Sequence, residues 1–469
     1  MNQSSHDARA PLKTSYAAGL APDSVHSQRG ARAPSDAFVS VGQVFEHLPL
    51  TIEHLKSCLA LFFVLVIEAW EMMIIVYTSP LISKDFKLGP VAIGNLIGAI
   101  FVGMGIGSII WGPISEKLGR KKSIIYSMVL YGVVSTLSAF SPDYSTLYAL
   151  RLASGVVAAG MLVVTFPYFE ELLPVRSRGP FTVYLAAGWP IGMLVALGAT
   201  VWLMPMGWRW VIGASSAAAL WALVVAFWVP ESPYWLAAAG REEEARAAIA
   251  RLSRGATVVP PQQRLHVESV TRSMWRDLFS GRMLVVTLLQ VTINFTFAWG
   301  YWGLQTWLPT LLQQRGLSLP QSYGFIAFSA LCMIPGYMTA SYLTGKLGRK
   351  KVMIAYVALS AVAGYAFANT QTIGGLYASN FALAFFSLGA WGVWDTWVGE
   401  MYPTRTRTIG YSWAIFAQRL ANIAAPITIG MLVAGGSSFN LTTTFINLFM
   451  VATVLLALLL PETEGKDLA

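Results

Sequence analysis

Apolar residues run down this chain in long blocks, and polar residues punctuate them. The blocks fall at 57–80, 91–114, 122–141, 145–168, 180–204 and 208–229. After a polar stretch they resume at 284–310, 322–345, 351–369, 374–400, 408–435 and 440–460. A helix rising 1.5 Å per residue needs about 20 apolar residues to cross roughly 30 Å of hydrocarbon. The pattern predicts an all-α membrane protein with twelve transmembrane helices in two bundles of six, at 57–229 and 284–460. Residues 1–37 are rich in Ala, Ser, Pro and Arg, lack an apolar core, and are expected to be a disordered tail. Residues 38–56 mix apolar and polar positions and predict a short amphipathic helix lying on the membrane surface. The stretch 230–283 is expected as a linker between the bundles and 461–469 as a second tail.

Composition agrees. Hydrophobic residues make up 55% of the 469 and charged ones 12%, against about 25% charged in soluble domains. The basic residues gather on one side, and the alternate loops hold little beyond Lys84, Lys87, Arg209 and Arg315. Lys117, Arg120, Lys121 and Lys122 follow the second span, and Arg176 and Arg178 the fourth. Eight arginines fall in 230–283, Lys346, Arg349, Lys350 and Lys351 follow the eighth span, and Arg405 and Arg407 the tenth. Basic residues gather on the cytoplasmic side, so both termini are expected there, in a cell (inner) membrane. The net charge of +9 is explained by topology; the expected surface partner is lipid, and no nucleic acid is implied. Two cysteines, Cys58 and Cys332, lie in or beside apolar runs and predict no disulfide. The five histidines, at 6, 26, 47, 54 and 266, fall outside the predicted spans. No metal or nucleophile cluster and no G-x-x-x-x-G-K-[ST] loop is visible, so neither an enzyme, a cofactor nor ATP-driven work is expected.

The two halves repeat. GPISEKLGRKK (Gly112–Lys122) after the second span matches LTGKLGRKK (Leu343–Lys351) after the eighth. E-x-x-P-x-x-x-R follows the fourth span as Glu171, Pro174, Arg178 and the tenth as Glu400, Pro403, Arg407. PESPYWL from Pro230 closes the first half and PETEG from Pro461 the second. Such duplication predicts a carrier whose site lies between two related bundles near the membrane midplane. These motifs resemble those of the major facilitator superfamily. The loop after span two carries Glu116 where that family usually has Asp. LGAWGVWDTWVGEMYPTRTR, YWGLQTWLPTLL and IPGYMTASYLTGKLGRKK are similar to the branch holding bacterial niacin and aromatic-acid transporters and the synaptic vesicle glycoprotein 2 proteins. The resemblance covers nearly all of the chain after residue 48 and implies the major facilitator fold, a monomer, and transport by alternating access.

Two acids, Glu68 and Glu71, interrupt the first span within VIEAWEMMI. A charge at the centre of a membrane helix costs roughly 2.5–3.5 kcal/mol on insertion scales. Positions i and i+3 share a face, so both can point into one cavity and titrate together. That suits proton coupling; one Glu bonding a neighbouring helix, or a dock for a cation, are the other readings.

Arg419, in the eleventh span, lies twelve residues from Arg407, about 18 Å along a helix and too deep to reach the surface easily. Asp395, eight residues or about 12 Å before Pro403, can meet it as a buried pair. Arg419 can instead receive a substrate carboxylate in its planar fork; the resemblance to organic-ion carriers favours an anion. Asn294, Trp299, Tyr301 and Trp302 in the seventh span, Trp391 in the tenth and Trp189 in the fifth are candidate contacts for a flat ring. Glu116, Arg120, Arg151, Glu171, Arg178, Arg349, Glu400 and Arg407 are expected at the cytoplasmic ends of the spans, as a gate of breakable ion pairs. Thinning of the glycines after Arg151 to Gly155 and Gly160 predicts a looser helix contact there. The sequence thus reads as a proton-coupled carrier of a small organic anion, such as nicotinate. An organic cation or drug carrier, a sugar porter and a non-transporting sensor are the alternatives.

Overall fold

The computed structural model describes residues 38–267, 278–402 and 406–463. The expected tail at 1–37 lies outside them, as does most of the expected tail at 461–469. Twelve helices among the described residues are long and apolar enough to cross a membrane. The first six run Ile52–Phe86, Pro90–Leu118, Arg120–Ala139, Tyr144–Leu172, Tyr184–Met206 and Trp208–Trp228. The second six begin at Gly281, Leu319, Arg349, Ile373, Arg407 and Phe439 and end at Ala457. Apolar runs underestimate the helices because polar caps extend them. The first helix starts five residues before its apolar block, with Thr51 as N-cap and His54 closing a capping box. The fifth span is interrupted at Ala187, beside Trp189 and Pro190, and the sixth loosens into a short 3-10 turn at Ala214–Ser216.

The surface helix expected over 38–56 is corrected. Phe38–Ser40 forms a strand (β1) that pairs in parallel with Arg264–His266 (β2). Val41–Glu46 is helical, Pro49 and Thr51 break the chain, and from Ile52 the residues already belong to the first spanning helix. The segment is stitched to the linker. Phe45 packs on Tyr234 at 5.3 Å, and the Thr51 hydroxyl donates to the Leu252 carbonyl at 2.5 Å.

Each half carries the same device on its basic face. Gly119 and Gly348 turn the chain with φ of 97° and 94°, a conformation open to glycine and strained for other residues. The Glu231 carboxylate accepts the backbone N–H groups of Arg120, Lys121 and Ser232 at 3.0, 3.1 and 2.9 Å. Glu462 repeats this on Arg349, Lys350 and Thr463. Each acid caps the positive N-terminal end of a spanning helix. Burial holds the Glu231 carboxyl above its ordinary range, against the pull of these donors.

The looser helix contact expected after Arg151 is also corrected. A Cβ on Gly155 would strike the Ile100 carbonyl, and one on Gly103 the Leu152 carbonyl. The second span supplies glycines that the fourth lacks, so the two backbones meet closely.

Candidate functional site

The first helix places Glu68 and Glu71 near its middle, 2% and 0% exposed. Their surroundings differ. Arg151 donates to both Glu71 oxygens at 3.3 and 3.4 Å, and the Ser154 hydroxyl donates to the same carboxylate. The guanidinium continues to Ser138 at 2.9 Å and Ser135 at 3.5 Å. The Glu71 charge is thus paired within the first bundle, with the arginine itself 0% exposed and only its Nε left without a hydrogen bond. This corrects the expectation that Arg151 flanks the gate. It lies seven residues into a helix that starts at Tyr144, on the face opposite the basic loops.

Glu68 has no such partner. Its Oε2 is buried without a hydrogen bond, and so is Nε of Arg419. Each is within electrostatic reach of the other, across the boundary between the first and eleventh spans. No ion pair within 4.0 Å joins them. Among the described residues Arg419 has no hydrogen bond at all. The side chain of Asp395, expected to meet Arg419, lies outside the described ones.

Aromatic rings wall this boundary. Trp302 of the seventh span meets Phe101 of the second at 5.0 Å and Trp189 of the fifth at 5.8 Å, so it bridges the bundles. Tyr301 packs edge-on to Trp302 and tilted on Trp391, 5.5 and 5.4 Å away, and its hydroxyl is buried without a partner. Trp299 points the other way. It stacks on Phe449 at 3.8 Å and packs against Phe445, so it fills the second bundle and does not face the first. Asn294 is fully engaged: its carbonyl accepts from Trp394 at 2.6 Å and Gln418 at 2.7 Å, and its amide donates to Gln290. It ties the seventh, tenth and eleventh spans together beside Arg419. Gln418 was missed in the sequence; an amide within an apolar run gives no signal until a partner is known.

On the basic face, Arg120 pairs with Glu171 at 3.3 Å and Arg349 with Glu400 at 2.9 Å, each within one bundle. Arg178 donates to the Leu173 carbonyl and to the Tyr234 hydroxyl. The Glu116 carboxylate is exposed and makes no ion pair among the described residues, and the side chain of Arg407 lies outside them. Glu231 and Glu462 belong to this network and were missed; their signal is the repeated Pro-Glu-[Ser/Thr] closing each half. No hydrogen bond or ion pair between described residues joins the two bundles here. They meet at the opposite face instead. There the Tyr323 hydroxyl donates to the Tyr77 carbonyl at 2.5 Å, and a Cβ on Gly94 would stand 2.6 Å from the Pro426 carbonyl oxygen.

Two six-helix bundles with matched loop motifs and an open charge pair at their boundary define a membrane transporter of the major facilitator superfamily. Comparison narrows this: residues 58–469 match the model of the "Sugar (and other) transporter" family, and the chain belongs to that family. Among curated relatives, a niacin transporter of Acinetobacter baylyi is 30% identical over 86% of this chain and 92% of its own length. A synaptic vesicle 2-related protein of Xenopus laevis is 27% identical over 86% of this chain and 77% of its own. Among solved structures, a partially occluded inward-open xylose transporter from E. coli superposes with a TM-score of 0.73, at 20% identity, covering 89% of this chain and all of that one.

Proposed function

We propose that this protein is a proton-coupled carrier of a small organic anion, with an aromatic monocarboxylate such as nicotinate as the cargo the site fits best. The observation that carries the reading is Arg419, a deep guanidinium with no hydrogen-bond partner among the described residues, on the eleventh span of a bundle boundary that also carries aromatic rings. A guanidinium offers a planar fork to a carboxylate, and Trp189, Tyr301, Trp302 and Trp391 offer flat apolar faces to a ring. The similarity to a niacin transporter supports the same cargo class. Glu68 and Glu71 are the coupling acids, Glu71 held by Arg151 and Glu68 open.

The basic face is cytoplasmic in this reading, with both termini on it, in the inner membrane. The bundles touch on the far face, and between described residues no hydrogen bond or ion pair joins them on the basic one, which supports a central site that opens inward in this state. Arg120–Glu171 and Arg349–Glu400, with Glu116, Arg178 and Arg407 nearby, are the groups that re-pair across the bundles when the inner gate shuts. Each such bridge is worth about 1 kcal/mol or less, so the gate biases a two-state equilibrium without locking it.

Uptake of labelled nicotinate into liposomes holding the purified protein tests the reading. An inward-directed proton gradient is expected to drive accumulation, and Arg419→Ala to weaken binding by roughly 2–5 kcal/mol. Binding without accumulation would make the protein a sensor. Indifference to Arg419→Ala would return the sugar and cation readings.

A further inference from the structure

Arg419 faces a carboxylate that belongs to the protein, and any carboxylate that enters the site meets the same guanidinium. Glu68 reaches Arg419 electrostatically but is not bonded to it, and each keeps a buried polar atom without a partner. The two sit on different bundles, Glu68 on the first span and Arg419 on the eleventh. Among the described residues the other titratable groups around them are accounted for; the side chain of Asp395, on the tenth span, lies outside them. Glu71 on the same helix is bound to Arg151 of the fourth span and Ser154. The third, seventh, eighth and eleventh spans contribute Tyr131, Tyr301, Tyr323 and Tyr411, and the first adds Tyr77, all neutral phenols at ordinary pH. The fifth span packs glycine on this part of the helix: a Cβ on Gly192 would meet the Val66 carbonyl at 2.5 Å, and no charge comes from that side.

We infer that Glu68 and the substrate carboxylate are alternative counterions of Arg419, so that each anion carried brings one proton and the transport cycle is electroneutral. The inference rests on the carboxylate reading of Arg419 and adds its stoichiometry. In the empty site, the Glu68 carboxylate balances the guanidinium. When an anion enters, its oxygens accept the guanidinium N–H groups. Glu68, left beside a second negative charge in a low-dielectric boundary, takes a proton from water onto its free oxygen. One negative charge and one positive charge have entered, so the loaded site has the charge of the empty one. Release reverses both steps: the anion leaves, the proton returns to water, and Glu68 faces Arg419 again. The bundles therefore reorient at equal charge with or without cargo, which frees both half-cycles from the membrane potential.

The experiment measures nicotinate binding in detergent across pH, and uptake into liposomes with the pH gradient and the potassium–valinomycin potential set independently. For the wild-type chain, Kd is expected to rise about tenfold per pH unit where Glu68 must gain its proton. Uptake is expected to follow the pH gradient and ignore the potential. Glu68→Gln is expected to bind with a Kd flat in pH and to move nicotinate in a potential-dependent way, because the anion now crosses alone. Wild-type uptake that changes with potential at clamped pH overturns the inference, and that measurement needs no variant to fold. A Glu68→Gln protein that keeps the pH slope of binding, while Arg419→Ala has lost binding, overturns it and leaves the carboxylate reading standing. Binding unaffected by Arg419→Ala, or no binding of nicotinate at all, overturns that reading and this inference with it.

Discussion

The two bundles hold the same frame around different interiors, and one pair of equivalent places shows how far they have parted. The register that matches Gly119 with Gly348, Arg120 with Arg349 and Glu171 with Glu400 also places Pro80 on Pro309. In that register Glu71 falls on Gly300, Arg151 on Asn380, Ser135 on Gly364 and Ser154 on Leu383. The first set is the buried ion pair with its serines. The second set lines a cavity in the other bundle, shared with Tyr301 and Asn447, with about 20 Å³ open to the centre of a water molecule, room for one water. Where one half keeps a carboxylate and a guanidinium, the other has lost both and kept an amide and a void. Loop motifs that set topology and cap helices persisted in both halves, while the membrane interior specialised. Among the described side chains, the deep carboxylates lie in the first bundle; the second holds amides, rings and the deep Arg419.

The largest expected effect breaks the charged member of the comparison. Arg151→Ala leaves Glu71 buried and unpaired and is expected to lower stability by roughly 3–5 kcal/mol, read as a fall in the thermal midpoint in detergent. The double variant Glu71→Gln/Arg151→Met removes both charges and should recover most of that loss. A double variant no more stable than the single one would show that pairing is not what Arg151 supplies.

The uncharged member should respond more weakly and in a different observable. Asn380 bonds Ser329, so Asn380→Ala is expected to cost about 1–2 kcal/mol and to leave the pH profile of uptake superimposed on the wild type. A shifted profile would mean the second bundle takes part in proton handling. Next come the repeated bridges. Arg120→Ala and Arg349→Ala remove partly buried pairs at matching positions, and each should change stability by about 1 kcal/mol. Unequal losses would show that the repeat is broken at the gate as well. The smallest effect is expected from Gly300→Ala, which adds a methyl at the vacant carboxylate position. Its nearest neighbours are atoms of the flexible Met450 side chain, 3.1–3.3 Å away, so the change should stay within about 1 kcal/mol of the wild type.

How much of this was legible in the sequence follows from range. Twelve spans could be read because each is a local run of apolar residues, and the repeat because its motifs are contiguous. Glu68, Glu71 and Arg419 stood out because a charge in such a run is conspicuous at any distance. The partner of Glu71 was not legible, since Arg151 lies 80 residues away and its depth depends on which end of the helix starts the count. Trp299 and Trp302 look alike on paper. Three residues apart, they share a flank of the helix, yet one meets the twelfth span and the other the opposite bundle. The capping acids Glu231 and Glu462 lay in plain view, but only the fold brings them over helix ends more than a hundred residues distant.

The small parallel ladder of β1 and β2 has a mechanical consequence. Together with the Thr51–Leu252 bond and the 3.8 Å contact of Arg251 with Glu53, it fastens the linker to the first bundle as far as Val267. At the other end, buried Leu278 and exposed Phe279, whose ring meets Trp413 at 5.4 Å, belong to the second. If the halves move against each other, the linker as far as Val267 rides with the first as a rigid collar.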